Sequence, residues 1–121
     1  MIVKVADYCG PICITVDTGT TIYNLIKNSK NIVLDFEGIT YVAAPFANFA
    51  VGRLLEYRTL EKFNQQVKLV NLEDWQYKLF ELVVGNANKY YRDANYRQAV
   101  NKVIEEMSQE NYDWHQGKTI F

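Results

Sequence analysis

Apolar residues along the chain fall into short β-prone runs separated by stretches with helical spacing. Ile2-Val3-Lys4-Val5 has strand composition, and Ile12-Cys13-Ile14-Thr15-Val16 repeats it beyond a Gly10-Pro11 break. Together they predict two N-terminal strands that a hairpin could join. Asp17-Thr18-Gly19-Thr20 supplies turn and capping residues ahead of Ile22, Leu25 and Ile26, whose spacing predicts a first helix over about residues 19–28. Ile32-Val33-Leu34-Asp35-Phe36 is a nearly unbroken apolar run, the pattern of a strand covered on both faces.

Ile39-Thr40-Tyr41-Val42 is a further short β-prone run, and Pro45 suits the first turn of a helix. Phe46, Phe49, Ala50 and Leu54 then recur at helical spacing and predict a second helix over about residues 45–57, with Phe46 and Phe49 in the core. Val67-Lys68-Leu69-Val70 reads as a strand. A helix from residue 73 to about 84 follows, with Trp75, Leu79, Leu82 and Val83 inward and Gly85-Asn86 as its stop. Beyond it, Tyr96, Val100, Val103, Ile104 and Met107 form an apolar stripe on a helix over about residues 94–108. Alternating strands and helices predict an α/β fold: a mixed, partly parallel sheet flanked by helices, with an additional C-terminal helix.

Composition narrows the classes. With 121 residues, 49% apolar and 22% charged, the chain has the balance of one ordinary globular domain. A net charge of -1 leaves no field to gather nucleic acid or anionic lipid, so neither is an expected partner. No window approaches the roughly 20 apolar residues that span a bilayer. The first ten residues carry one Lys and no long apolar run, and the expected location is cytoplasmic. Cys9 and Cys13 are the only cysteines, at a spacing that suits neither a Cys-x2-Cys redox motif nor a zinc site. They read as buried or half-buried thiols, with no metal and no cofactor expected.

Asn31-Ile-Val-Leu-Asp-Phe-Glu-Gly-Ile-Thr-Tyr-Val42, followed by Ala44-Pro-Phe-Ala-Asn-Phe-Ala-Val-Gly-Arg-Leu-Leu55, resembles the STAS-like domain of unknown function. Thr15-Val-Asp-Thr-Gly-Thr-Thr-Ile-Tyr-Asn-Leu-Ile26 upstream is similar to that family's first helix. Val67-Lys-Leu-Val-Asn-Leu72 and Asn86-Ala-Asn-Lys-Tyr-Tyr91 are similar to its closing strand and helix. The resemblance covers about residues 12–92 of a single domain and leaves about 93–121 as a helical extension. It implies the fold of anti-sigma-factor antagonists, with a partner-binding surface at the strand–helix junction formed by Ala43, Ala44, Pro45, Phe46 and Asn48. It also implies a protein partner, a GHKL-type ATP-binding kinase that phosphorylates a Ser at that junction. That Ser would fall at Ala44, which has no hydroxyl to accept a phosphoryl group, so binding is expected without the phospho-switch.

Other candidates read as structural. Asp35 and Glu37, at i and i+2, lack a neighbouring nucleophile, phosphate loop or metal cluster, and read as turn-capping groups. Tyr90, Tyr91, Tyr96, Tyr112 and Trp114, interleaved with Lys89, Arg92 and Arg97, have the composition of a protein interface more than of a nucleobase stack. His115 alone cannot build a catalytic centre. The sequence therefore predicts a non-enzymatic regulatory or adaptor domain that binds protein, with a homodimer through Tyr96, Val100, Val103, Ile104 and Met107. The alternative is a phage or mobile-element inhibitor that blocks a host complex.

Overall fold

The computed structural model describes residues 1–115, with side chains through residue 107. It divides into two compact units, Met1–Asn88 and Lys89–Phe121. In chain order the elements are β1 (Ile2–Lys4), α1 (Ala6–Cys9), β2 (Ile12–Cys13), α2 (Val16–Ile26), β3 (Ile32–Asp35), β4 (Tyr41–Val42), α3 (Ala44–Ala50), a 3-10 segment (Gly52–Glu56), α4 (Leu60–Gln66), β5 (Val67–Val70), α5 (Asp74–Arg92) and α6 (Ala94–His115). The fold is α/β, a parallel sheet flanked by helices, as the alternation predicts.

β3 is the central strand. β1 and β5 pair with it in parallel on either side, with Ile2 opposite Val33 and Ile32 opposite Val67. Along β3, Ile32 and Leu34 are fully buried, and Phe36 just beyond it packs on Phe80 of α5 with ring centroids 5.1 Å apart. Burying each such side chain contributes about 1.5–3 kcal/mol.

The two N-terminal strands do not form a hairpin. A single helical turn, α1, and Gly10 at φ 65° separate them. β1 then pairs with β3, while β2 joins β4 in a second, two-stranded parallel sheet. Both find parallel partners supplied by later strands, which a local run of apolar residues cannot reveal.

α2 begins at Val16, earlier than the turn residues suggest, because the Thr15 hydroxyl accepts the Thr18 amide at 3.2 Å and caps it. Ile22, Tyr23 and Ile26 are buried, and Leu25 is exposed. The side chain of Arg58 closes the other end of α2, donating to the carbonyls of Lys27 (2.9 Å) and Ser29 (3.0 Å), and its Nε donates to Gln66 Oε1.

α2 lies against α3 across Gly19. A Cβ added there would stand 2.8 Å from the Phe46 carbonyl oxygen and 3.2 Å from the Ala50 amide nitrogen. Phe46, Ala47 and Ala50 are consequently buried, while Phe49, expected in the core, is 37% exposed beneath the Arg53 guanidinium.

The second helix ends at Ala50 and tightens into the 3-10 segment, which buries Leu54 and Leu55. α4 has no apolar stripe to signal it, since only Phe63 is buried; its start is set by the Thr59 hydroxyl, which accepts the Lys62 amide. α5 runs through Gly85 to Arg92. An exposed glycine costs a helix only about 1 kcal/mol, and Val83 and Ala87 on either side pack toward Gly52.

Past β3 the chain turns over Phe36-Glu37-Gly38-Ile39, with Ile39 N donating to Phe36 O at 3.0 Å and Gly38 at φ 84° in the third position. Asp35 organises this turn, its Oδ1 accepting from the Glu37 amide (3.0 Å) and from Asn71 Nδ2 (2.8 Å). Asn71 itself adopts φ 60°, a conformation its short polar side chain tolerates. The Asn71 hydrogen bond first, and the Glu37 amide second, hold the Asp35 carboxyl below its ordinary range. Asp35 and Glu37 are thus a turn device, not an acid–base pair.

Two outcomes are expected. Gly19→Ala should lower the unfolding free energy by about 1–3 kcal/mol in urea titration, despite the gain in helix propensity; unchanged stability would mean that α2 and α3 do not meet at that spacing. Because the folded Asp35 carboxyl titrates below its unfolded value, its stabilising contribution is present at neutral pH and is lost as pH falls below about 4. Asp35→Asn should therefore flatten the acid limb of a melting-temperature profile.

Candidate functional site

The strand–helix junction is built by two backbone contacts. β4 pairs in parallel with β2, Cys13 opposite Val42, and the Ala43 amide donates to the Cys13 carbonyl at 2.8 Å. Thr40 anchors the other end of the strand, its amide and hydroxyl both donating to the Pro11 carbonyl. At Ala43 the chain is still extended, φ -95° and ψ 151°, and the next residue starts α3. Ala43 is therefore the N-cap and Ala44 the first helical residue, one position ahead of the helix start expected at residue 45. Neither methyl can accept a first-turn amide, and Pro45 removes one of those donors.

An open groove of about 580 Å³ runs beside this junction. One wall is Tyr41, Val42, Ala43, Ala44 and Pro45. The other is a single face of α5, Trp75, Lys78, Leu79 and Leu82, at i, i+3, i+4 and i+7. The Tyr41 and Trp75 rings meet across one end at 5.8 Å between centroids. Tyr41 is 50% exposed, Trp75 42% and Leu82 62%. The Trp75 indole N–H donates to Glu73 Oε2 at 2.8 Å, which holds the ring in place, and among the described residues Lys78 is the only cation lining the groove.

Trp75, Leu79 and Leu82 thus do not fill the core as their spacing suggests. The core face of α5 is the adjacent one, with Phe80, Val83, Val84 and the fully buried Gln76. Gln76 Oε1 accepts the Glu73 amide at 3.0 Å and its Nε2 donates to the Ile39 carbonyl at 3.3 Å. The first bond is half of a capping box, in which a Gln at the third helical position reaches back to the cap amide, and Glu-x-x-Gln is the sequence signal for it. The second ties the start of α5 to the turn after β3, which fixes the rotation of α5 and turns Trp75, Leu79 and Leu82 toward the groove.

Of the residues expected at the partner surface, Ala43, Ala44 and Pro45 line the groove. Phe46 is fully buried, because the close approach of α2 at Gly19 covers it, and Asn48 is exposed but lies outside the groove. The Ala44 methyl is exposed at the position that the resemblance reserves for a hydroxyl.

In the second unit, the Asp93 carboxylate accepts the Tyr96 amide at the start of α6, Tyr90 donates to Asn101, and the Lys89 ammonium sits 4.6 Å from the Tyr96 ring centroid. These bonds occupy much of the aromatic cluster internally. Tyr96 and Val100 are half-buried, while Val103, Ile104 and Met107 are each more than half exposed. The side chains of Tyr112, Trp114 and His115 lie outside the described residues.

Among the described residues no group of His, Cys, Asp or Glu side chains is arranged to hold a metal ion, and no helix is long and apolar enough to cross a membrane. The architecture is that of an α/β domain with an open groove at a strand–helix junction. A family model described as a STAS-like domain of unknown function matches residues 18–75. The match runs from Thr18 in the first turn of α2 through β5 to Trp75 and includes the Ala43-Ala44-Pro45 junction, a narrower span than residues 12–92. No curated protein and no solved structure matches the chain.

The position of the cap makes a test. Ala43→Ser should raise the unfolding free energy by about 1 kcal/mol by accepting a first-turn amide. Ala44→Ser, inside the helix, should stay within about 0.5 kcal/mol of the parent. The reverse order in paired denaturant titrations would move the cap to residue 44.

Proposed function

We propose that the chain is a non-enzymatic regulatory or adaptor domain that binds another protein through the groove between the Ala43-Ala44-Pro45 junction and α5. The observation that carries this reading is the exposure of Tyr41, Trp75 and Leu82 around one open groove. Aromatic side chains whose orientation is already set lose little entropy on binding and are the common anchors of protein interfaces. Tyr41 stacked on Trp75, and Trp75 bonded to Glu73, have this character. The partner surface that fits is an apolar ridge with an acidic group placed to meet Lys78.

The partner class that the resemblance implies is a GHKL-type ATPase. Docking on the junction does not need a hydroxyl at position 44, so such binding would be constitutive and not phospho-regulated. The exposed stripe of Val103, Ile104 and Met107 supports self-association through α6 as a second contact.

Leu82 is the residue to change, since it is the most exposed of the large apolar side chains lining the groove and its loss costs the fold little. Leu82→Asp should weaken binding to a GHKL-type ATPase encoded beside this protein at least about tenfold, or 1.4 kcal/mol, by calorimetry. Its melting temperature should stay close to that of the parent. Equal affinity of parent and variant would remove the groove from the interface.

A further inference from the structure

The sheet order β1-β3-β5 leaves one edge of β5 open, and among the described residues no further strand pairs with it. The ladder shows which groups face that edge. The Phe36 amide donates to the Val70 carbonyl at 3.0 Å, and Val70 stands opposite Asp35 in the register. In a parallel ladder the N–H and C=O of one residue face one neighbouring strand, and those of the next residue face the other side. Lys68 and Val70 therefore bond to β3, while the backbone groups of Val67 and Leu69 face outward. The Val67 amide is taken by the Phe63 carbonyl at the end of α4. The Leu69 N–H and C=O have no partner among the described residues.

A channel of about 420 Å³ runs along this edge. Val67, Lys68, Leu69 and Val70 all line it. Successive side chains of a strand point to opposite faces, so a space that touches four in a row follows the strand's edge and not one face. The other wall is a face of α5, Tyr77, Phe80, Glu81 and Val84, at i, i+3, i+4 and i+7. None of these residues lines the groove beside Ala43-Ala44-Pro45, so the channel is a separate site.

The two faces of the edge differ chemically. Leu69 stands opposite Leu34, on the side of the sheet where Phe36 meets Phe80 of α5. Lys68 points to the opposite side and is exposed, and its ammonium makes no hydrogen bond or ion pair among the described residues.

We propose that the free edge of β5 receives an extended peptide segment of a partner protein as a fourth strand of the sheet. The Leu69 N–H and C=O supply the main-chain bonds, and the α5 wall supplies the pocket for a side chain. The guest residue beside Leu69 is apolar, since it points at Phe80 and Val84, and Glu81 on the same wall repels an acidic one. The guest residues on either side of it point the other way, where Lys68 selects an acidic group. β5 is four residues long, about 13 Å at about 3.3 Å per residue, so a segment of about six residues spans it. A second copy of the chain fits less well, because a lysine on a short edge strand blunts that edge against its own kind.

The test uses the full-length protein and a bead library of blocked hexapeptides, with Val, Ile or Leu at alternate positions and Glu, Thr or Lys between them. Selection should enrich Glu at the intervening positions. The enriched peptide, made synthetically, should slow hydrogen exchange at the Leu69 amide. Methylating its backbone nitrogens one at a time should weaken binding at least about tenfold at alternate positions, those that face β5, and leave the others within about threefold. Lys68→Glu alters an exposed side chain, so the fold is kept, and it should turn the selection from Glu to Lys.

A library that yields no enriched peptide would overturn the proposal. So would an enriched peptide that leaves Leu69 exchange unchanged, equal losses from methylation at every nitrogen, or the same selection by parent and Lys68→Glu.

Discussion

The close approach of α2 to α3 at Gly19 is the contact on which the organisation of this domain depends. With only hydrogen on that Cα, the backbone of α2 comes against the Phe46 carbonyl and the Ala50 amide. Phe46, Ala47 and Ala50 are sealed, and α3 is seated at a fixed height above the chain that enters it. The entering chain is β4, itself held by the two-residue pairing with β2 and by the Ala43–Cys13 bond. Interiors at crystal-like density transmit such constraints, because no element can shift without opening a void.

The other wall of the groove depends on a second constraint, the buried Gln76. A polar side chain removed from water is tolerated only when its donor and acceptor are both used. Gln76 meets that condition with the Glu73 amide and the Ile39 carbonyl. The two bonds set the rotation of α5 about its own axis, and with it the direction of Trp75, Leu79 and Leu82. Glu73 serves the groove twice, through its backbone to Gln76 and through its carboxylate to Trp75. The apolar surface beside the junction is therefore held open by core hydrogen bonds and does not depend on a bound ligand for its shape.

With Ala44 at the junction, the chain carries no hydroxyl at the position that the STAS-like resemblance reserves for one. The groove is apolar apart from Lys78, which suits recognition by shape and burial.

The apolar runs in the sequence were enough to mark β3 as a strand covered on both faces, β5 as a further strand, and the α/β class, because a strand covered on both faces must be apolar at consecutive positions. The junction residues Ala43 to Pro45 were also legible, through the motif around them. What the sequence could not decide was pairing and rotation. β1 and β2 look alike as short β-prone runs, and only partners far along the chain send them to different sheets. α5 carries two adjacent apolar stripes, Trp75, Leu79 and Leu82 beside Phe80, Val83 and Val84. Helical period identifies both stripes and cannot choose between them. The choice belongs to Gln76, whose two hydrogen bonds are satisfied only with its own stripe turned inward, so the stripe of Trp75, Leu79 and Leu82 became the surface.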